Sequence, residues 1–235
     1  MNKVASSTIA KLNQRTRELE RFNRRFAAGW ENHLLAVAVI TWIRAIARRA
    51  VSISLLLEQS HVESALVLLR GLREKCIDLA LLCSWVPPRE AAIRAHIFQR
   101  LAYKKLAARR PEFAKNVTFS NLQADLQQFE NECPDVYHEI AKLDPVRHHW
   151  SGMGVEDYLA KAGWVEPNTM KIQLLLTFEV HGNLDLPQAD VERLDQAYVV
   201  SSTRTASPEL LAETAKYTME CIEEAIKKLD LLPSG

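Results

Sequence analysis

The run "VESALVLLRGLREKCIDLALLCSW", residues 62–85, is apolar around most of a helical circumference. A helix of that kind cannot lie on a surface with one face in water, so it predicts a central helix packed on several sides. The cover must come from the rest of the chain, and the alternatives to helices are weak there. Only seven glycines occur, none in GxGxxG or GxxxxGK spacing, and no segment alternates β-branched with polar residues. This pattern disfavours phosphate-cradling α/β folds, and the expectation is an all-α, multi-helix bundle.

Helical periodicity and its punctuation predict the elements. A first helix over 7–28 carries Ile9, Leu12, Leu19, Phe22 and Phe26 on one side and stops at Gly29. A second covers 33–59. "SHVE" then reads as a capping box, in which Ser60 caps the third helix and Glu63 reaches back. Pro88 opens a fourth helix over 88–110, stopped by Pro111. Shorter helices are predicted over 120–132, 134–143, 155–162 and 169–181, and Ser207-Pro208 starts a last long one ending near Leu229. No strand is predicted. The domain reading is an N-terminal basic helix, 1–30, packing on or extending from a single helical bundle domain, 31–235.

Composition narrows the functional classes. The longest apolar run, "LLAVAV" extended through Ile43, is about half the ~20 residues of a membrane span, and the N-terminus lacks a signal-peptide core. A cytoplasmic protein without membrane attachment is expected. Cys76, Cys83, Cys133 and Cys221 show no CxxC pairing and no histidine at zinc-ligand spacing, so no metal and no cofactor is expected. Residues 1–110 hold 20 Lys/Arg and 8 Asp/Glu, a net of +12, and residues 111–235 hold 10 and 21, a net of −11. Such halves could attract each other within one fold or across a dimer, or offer a basic face to RNA or an acidic partner protein.

Three groups of polar residues are candidates for function. Arg73 sits in the apolar arc of the third helix among Leu66, Leu69, Ile77 and Ala80, and so requires a carboxylate partner from another helix. Arg70 and Glu74, four apart, can meet on one face, and with Arg73 they suggest an internal ion-pair network. The fourth helix interleaves Arg94, Arg100, Lys104, Lys105, Arg109 and Arg110 with Phe98 and Tyr103, the combination that contacts phosphate and stacks bases. Positions 94, 98, 101 and 105 share a face, which sends Phe98 toward the core. The densest polar cluster is Arg147, His148 and His149 beside Trp150, in the most loop-like stretch of the chain. With His181 these form a candidate catalytic constellation. His181 itself ends the apolar segment 174–180 and precedes Gly182, so a last-turn position, favourable to the helix dipole, also accounts for it.

"ALVLLRGLREKCIDLALL", "HHWSGMGVEDYLAKAGW" and "TFEVHGN", in that order, resemble the bacterial family known as domain of unknown function 5677, over roughly 34–183. That family carries an Arg-x-x-x-Glu helix, a Trp-Ser-Gly segment and a Ser-x-x-x-His-Gly segment. It is similar to the HEPN helical domains, many of them ribonucleases of toxin–antitoxin, CRISPR and phage-defence systems. The resemblance implies a HEPN-like bundle, a homodimer, and chemistry by an arginine separated by four to six residues from a histidine. Histidine would exchange a proton with a 2′-hydroxyl while arginine stabilises the phosphate.

Placed on His181, that pattern needs arginine at 174, 175 or 176, where Leu174, Leu175 and Leu176 stand, while Thr177 takes the family's serine position. Arg89 and His96 have the spacing, but one such match is expected by chance in a chain with 18 arginines. The favoured expectation is therefore a catalytically degenerate component that binds RNA or protein in a defence or toxin system. The alternatives are a metal-independent ribonuclease using His181, with Arg147 or Arg70 replacing the missing arginine, and a dimeric structural bundle.

Overall fold

Every residue from Cys76 to Cys83 is buried, two full turns in succession with Asp78 among them, so this half of the helix is packed all round, whereas its first half keeps a face in water at Glu63, Val67, Arg70 and Glu74. In the computed structural model of the chain, the described residues are 3–27, 33–110, 117–145, 147–166, 191–194, 197–200 and 207–232. They form helices α1 (Lys3–Ala27), α2 (His33–Glu58), α3 (Val62–Ser84), α4 (Pro88–Arg109), α5 (Val117–Glu132), α6 (Pro134–Ala141), α7 (Val155–Ala162) and α8 (Pro208–Leu229). The all-α class holds. The helix predicted over 169–181 lies outside the described residues.

The chain divides into two compact units. One comprises Met1–Arg25, Trp42–Ile77 and Val165–Lys227; the other comprises Phe26–Thr41, Asp78–Trp164 and Lys228–Gly235. In the first, α1 buries Ala5, Ile9, Leu12, Thr16 and Leu19, a stripe of 3.5-residue spacing, and α8 buries Leu211, Thr214, Ala215, Thr218, Ile222 and Ala225. The buried threonines cost little, because Thr16 bonds back to the Leu12 carbonyl and Thr214 and Thr218 to those of Leu210 and Thr214. In the second, α4, α5 and α6 meet around Ile93, Ile97, Phe129 and Ile140, with Phe98 packed against them as its helical face predicts.

The helix starts follow the local signals. Pro88 and Pro134 occupy first-turn positions of α4 and α6, and the Ser207 hydroxyl accepts the Leu210 amide, capping α8 behind Pro208.

Ser60 is a correction. It does not cap α3 but closes α2: its φ is +63°, its amide bonds the Leu57 carbonyl, and the His61 amide reaches back to the Leu56 carbonyl at 2.8 Å. This is a Schellman ending, in which the left-handed residue lets its own amide and the next one satisfy the last carbonyls. "SHVE" fits both patterns, and a one-residue offset between helices decided it.

The second correction is a two-stranded antiparallel hairpin, β1 (Val191–Leu194) and β2 (Ala197–Val200), in the register Val191↔Val200 to Leu194↔Ala197. Four-residue strands are too short for alternation to be read, and their pairing is what defines them.

Candidate functional site

The candidate site in the second unit is built on Asp78, the one charged residue in the buried turns of α3. A carboxylate there must be hydrogen-bonded. Its Oδ1 accepts the Trp150 indole N–H at 2.7 Å and lies 2.7 Å from His149 Nε2, both from the segment before α7. The other His149 nitrogen, Nδ1, lies 2.8 Å from the Ser151 hydroxyl and 3.3 Å from the Ser151 amide. The Ser151 oxygen in turn accepts the Met153 amide at 3.2 Å. One proton arrangement satisfies all of these: Nε2–H donates to Asp78, and the serine hydroxyl donates to Nδ1.

Local backbone chemistry brings these groups together. Gly152, at φ +74°, makes a turn that side chains disfavour, closed by its amide on the His149 carbonyl. Gly154 then starts α7, and Gly163, at φ +53°, ends it. Around the polar chain lies an aromatic wall: Tyr158 stacks on His149 with centroids 4.5 Å apart, and Trp150 meets Trp85 at 6.0 Å. Lys161 Nζ stands 3.4 Å from the Trp85 ring centroid and Arg94 Cζ 5.3 Å from it.

An aspartate, a histidine and a serine hydrogen-bonded in series are the groups that activate a serine nucleophile. Here Ser151 is only 3% exposed and its oxygen already serves the Met153 amide. The series works as a clasp that fastens the Trp-Ser-Gly turn to α3.

Of the described members of the predicted constellation, Arg147, His148 and His149, only His149 turns inward. His148 is exposed and its Nδ1 folds back onto the Asp144 backbone, while Arg147 is 82% exposed and 4.0 Å from the Asp144 carboxylate. The three consecutive side chains diverge, as consecutive side chains in a turn do. His181 lies outside the described residues. His96, of the chance pair with Arg89, is buried, with Nε2 3.1 Å from the Leu34 carbonyl and Nδ1 3.1 Å from Arg100.

The basic residues of α4 separate into two kinds. Arg94 is buried, forked onto Glu139 at 2.7–2.9 Å, and bonded to Glu90. Arg100 bonds Asp125 at 2.8 Å and lies over Phe129. These two serve the core, where a guanidinium's planar fork satisfies carboxylates. Lys104, Lys105, Arg109 and Arg110 are exposed at the C-terminal end of α4, where Lys105 also bonds the Leu143 carbonyl.

In the first unit, Arg73 pairs with Glu166, which follows α7 outside any helix or strand, and Tyr217 donates to the same carboxylate at 3.2 Å. The partner is not on a helix, as expected from sequence, but on a loop. Burial alone would lower the Arg73 pKa; the hydrogen bond and charge of Glu166 outweigh it and hold it above its ordinary value. Arg70 and Glu74 do pair, at 3.1 Å, but with both side chains about half exposed, so they form a surface bridge and not an internal one.

Among the described residues no group of three or more His, Cys, Asp or Glu is placed to hold a metal ion, and no helix is long and apolar enough to cross a membrane. None of the four cysteines is in a disulfide. Burial pushes the Cys83 thiol up to about 12 and raises that of Cys221 as well, and only the thiolate attacks. A thiol reagent at neutral pH should therefore label Cys133, the half-buried one, and spare Cys76, Cys83 and Cys221 until the protein is denatured. Labelling of Cys83 or Cys221 in the native protein, mapped by mass spectrometry, would refute this.

Asp78, Ser151, Tyr158, Glu139, Glu166 and Tyr217 do not stand out in the sequence as candidates. Asp78 had a signal: a lone carboxylate inside "CIDLALLC" must find donors. The model of the Family of unknown function (DUF5677) matches residues 36–191, nearly the span of the three resembling motifs. The chain belongs to that family. No curated protein and no solved structure matches the chain. For this DUF5677 member, the matched span contains α3, the whole clasp and Glu166.

Proposed function

We propose that this DUF5677 protein is a catalytically inert, HEPN-like RNA-binding component of a bacterial defence or toxin system. The observation that carries the reading is the exposed end of α4. Lys104, Lys105, Arg109 and Arg110 are exposed there beside Tyr103, which is 53% exposed, all within about 10 Å of helix. Cations around an accessible aromatic ring suit phosphate contact with base stacking, a sequence-tolerant way to hold single-stranded RNA. Inertness is supported by His149, whose ring nitrogens both hold the clasp, and by the leucines at 174–176.

The test is anisotropy of labelled single-stranded RNA over a salt series. Binding should weaken steeply with salt. Replacing Lys104, Arg109 and Arg110 together by alanine should lower the slope of log K against log salt by about 2, because each phosphate that a cation neutralises on a single strand contributes ~0.7 to it. The RNA should remain intact throughout. Binding indifferent to salt or to the triple variant would refute RNA recognition at α4, and cleavage abolished by His149→Ala or His181→Ala would refute inertness.

A further inference from the structure

Along α2, residues 44, 48, 51, 55 and 58 are spaced four, three, four and three apart, and all five are exposed. That is a heptad seam, the pattern that keeps one stripe of a helix facing a partner helix. Its residues are Arg44, Arg48, Val51, Leu55 and Glu58, with Val51 45% and Leu55 54% exposed. Neither arginine nor Glu58 forms an ion pair among the described residues. Exposed aliphatics taken singly are ordinary. The order of the stripe is not: basic at one end, aliphatic in the middle, acidic at the other.

A stripe with that order is complementary to itself reversed. We propose that α2 is the seam of a symmetric dimer, in which it packs antiparallel against α2 of a second copy of this chain. A two-fold axis beside Val51 sets Val51 against its own copy. Arg48 then lies opposite Leu55, where its aliphatic stem covers the leucine while its charge stays in water, and Arg44 lies opposite Glu58. The two ends are equivalent, so each seam contains the Arg44–Glu58 pair twice. Charge complementarity selects this occupant: an acidic partner would leave Glu58 against like charge, and a parallel copy would set Arg44 against Arg44. The seam stands independently of RNA binding by α4.

The experiment is sedimentation equilibrium of the full chain and three variants. Wild type should dimerise reversibly. Arg44→Glu and Glu58→Arg should each weaken the dimer by roughly tenfold or more, since each sets like charges against one another at both ends. The double swap, Arg44→Glu with Glu58→Arg, should restore it. Within one chain these residues lie about 21 Å apart along the helix, too far to compensate one another, so restoration reports an interaction between copies. Circular dichroism should show all variants folded, as the positions are exposed. A monomeric wild type, a dimer indifferent to the single changes, or a double swap no better than either single would each overturn the proposal.

Discussion

Asp78→Ala should lower the unfolding free energy by about 3 kcal/mol or more, the largest effect expected from any single change in the clasp. The carboxylate is 5% exposed and one of its oxygens takes the N–H groups of both Trp150 and His149. Hydrogen bonds to a charged acceptor contribute about 1.5–3 kcal/mol each, and a buried donor left without an acceptor forfeits its hydration as well. Water entering the space vacated by the carboxylate would offset part of this. Asp78→Asn should cost less, about 1–2 kcal/mol, because its carbonyl can still accept both donors without the charge. Trp150→Phe should fall in the same range, since it removes one donor and leaves no orphan. Urea denaturation followed by tryptophan fluorescence measures all three. If Asp78→Ala costs under about 1 kcal/mol, the clasp does not hold the turn.

Glu166→Ala should be the most damaging change in the Arg73 cluster, at about 2–4 kcal/mol, exceeding both Arg73→Leu and Tyr217→Phe. It strips the counter-charge from Arg73 and the acceptor from the Tyr217 hydroxyl, on a side chain that is fully buried. Arg73 keeps some access to water, with 29% of its side chain exposed, so the fully buried penalty of about 3–5 kcal/mol does not apply to it alone. Arg73→Leu refills the apolar arc and leaves Glu166 with Tyr217 and solvent, for about 1–2 kcal/mol. Tyr217→Phe removes a donor and orphans nothing, for about 1 kcal/mol. The order of the three, read from denaturation midpoints at constant slope, is the test. A Glu166→Ala variant as stable as Tyr217→Phe would show that the carboxylate is dispensable.

Both clusters illustrate how far local signals reach. Helix positions follow from the sequence within a few residues because their causes are local: apolar residues recur at the helical period, and Pro88, Pro134 and Ser207-Pro208 act on their own first turns. The buried circumference of α3 over Cys76–Cys83 followed from composition, and so did the need of Arg73 for a carboxylate, but the exposed face of the helix's first half did not. Which carboxylate it found did not. Glu166 lies 93 residues from Arg73, Glu139 lies 45 from Arg94, and Asp78 lies 71 from His149. Periodicity carries no information over such distances, and any of the chain's 29 acidic residues was eligible.

The same limit governs direction. "RHHW" marks a polar cluster, but only the turn at Gly152 sends His149 inward and leaves His148 and Arg147 in water. Arg94 and Arg100 are indistinguishable from Lys104 and Arg109 as cations along one helix, until packing covers the first part of α4 and leaves its C-terminal end in water. Ser60 could cap one helix or close another, and the choice was made by how α2 and α3 join. The helices, and the polar groups that burial would force into partnership, are written along the chain, because burial and hydrogen bonding act on each segment where it stands. The partners themselves came from the fold, because pairing depends on where distant segments of chain come to rest.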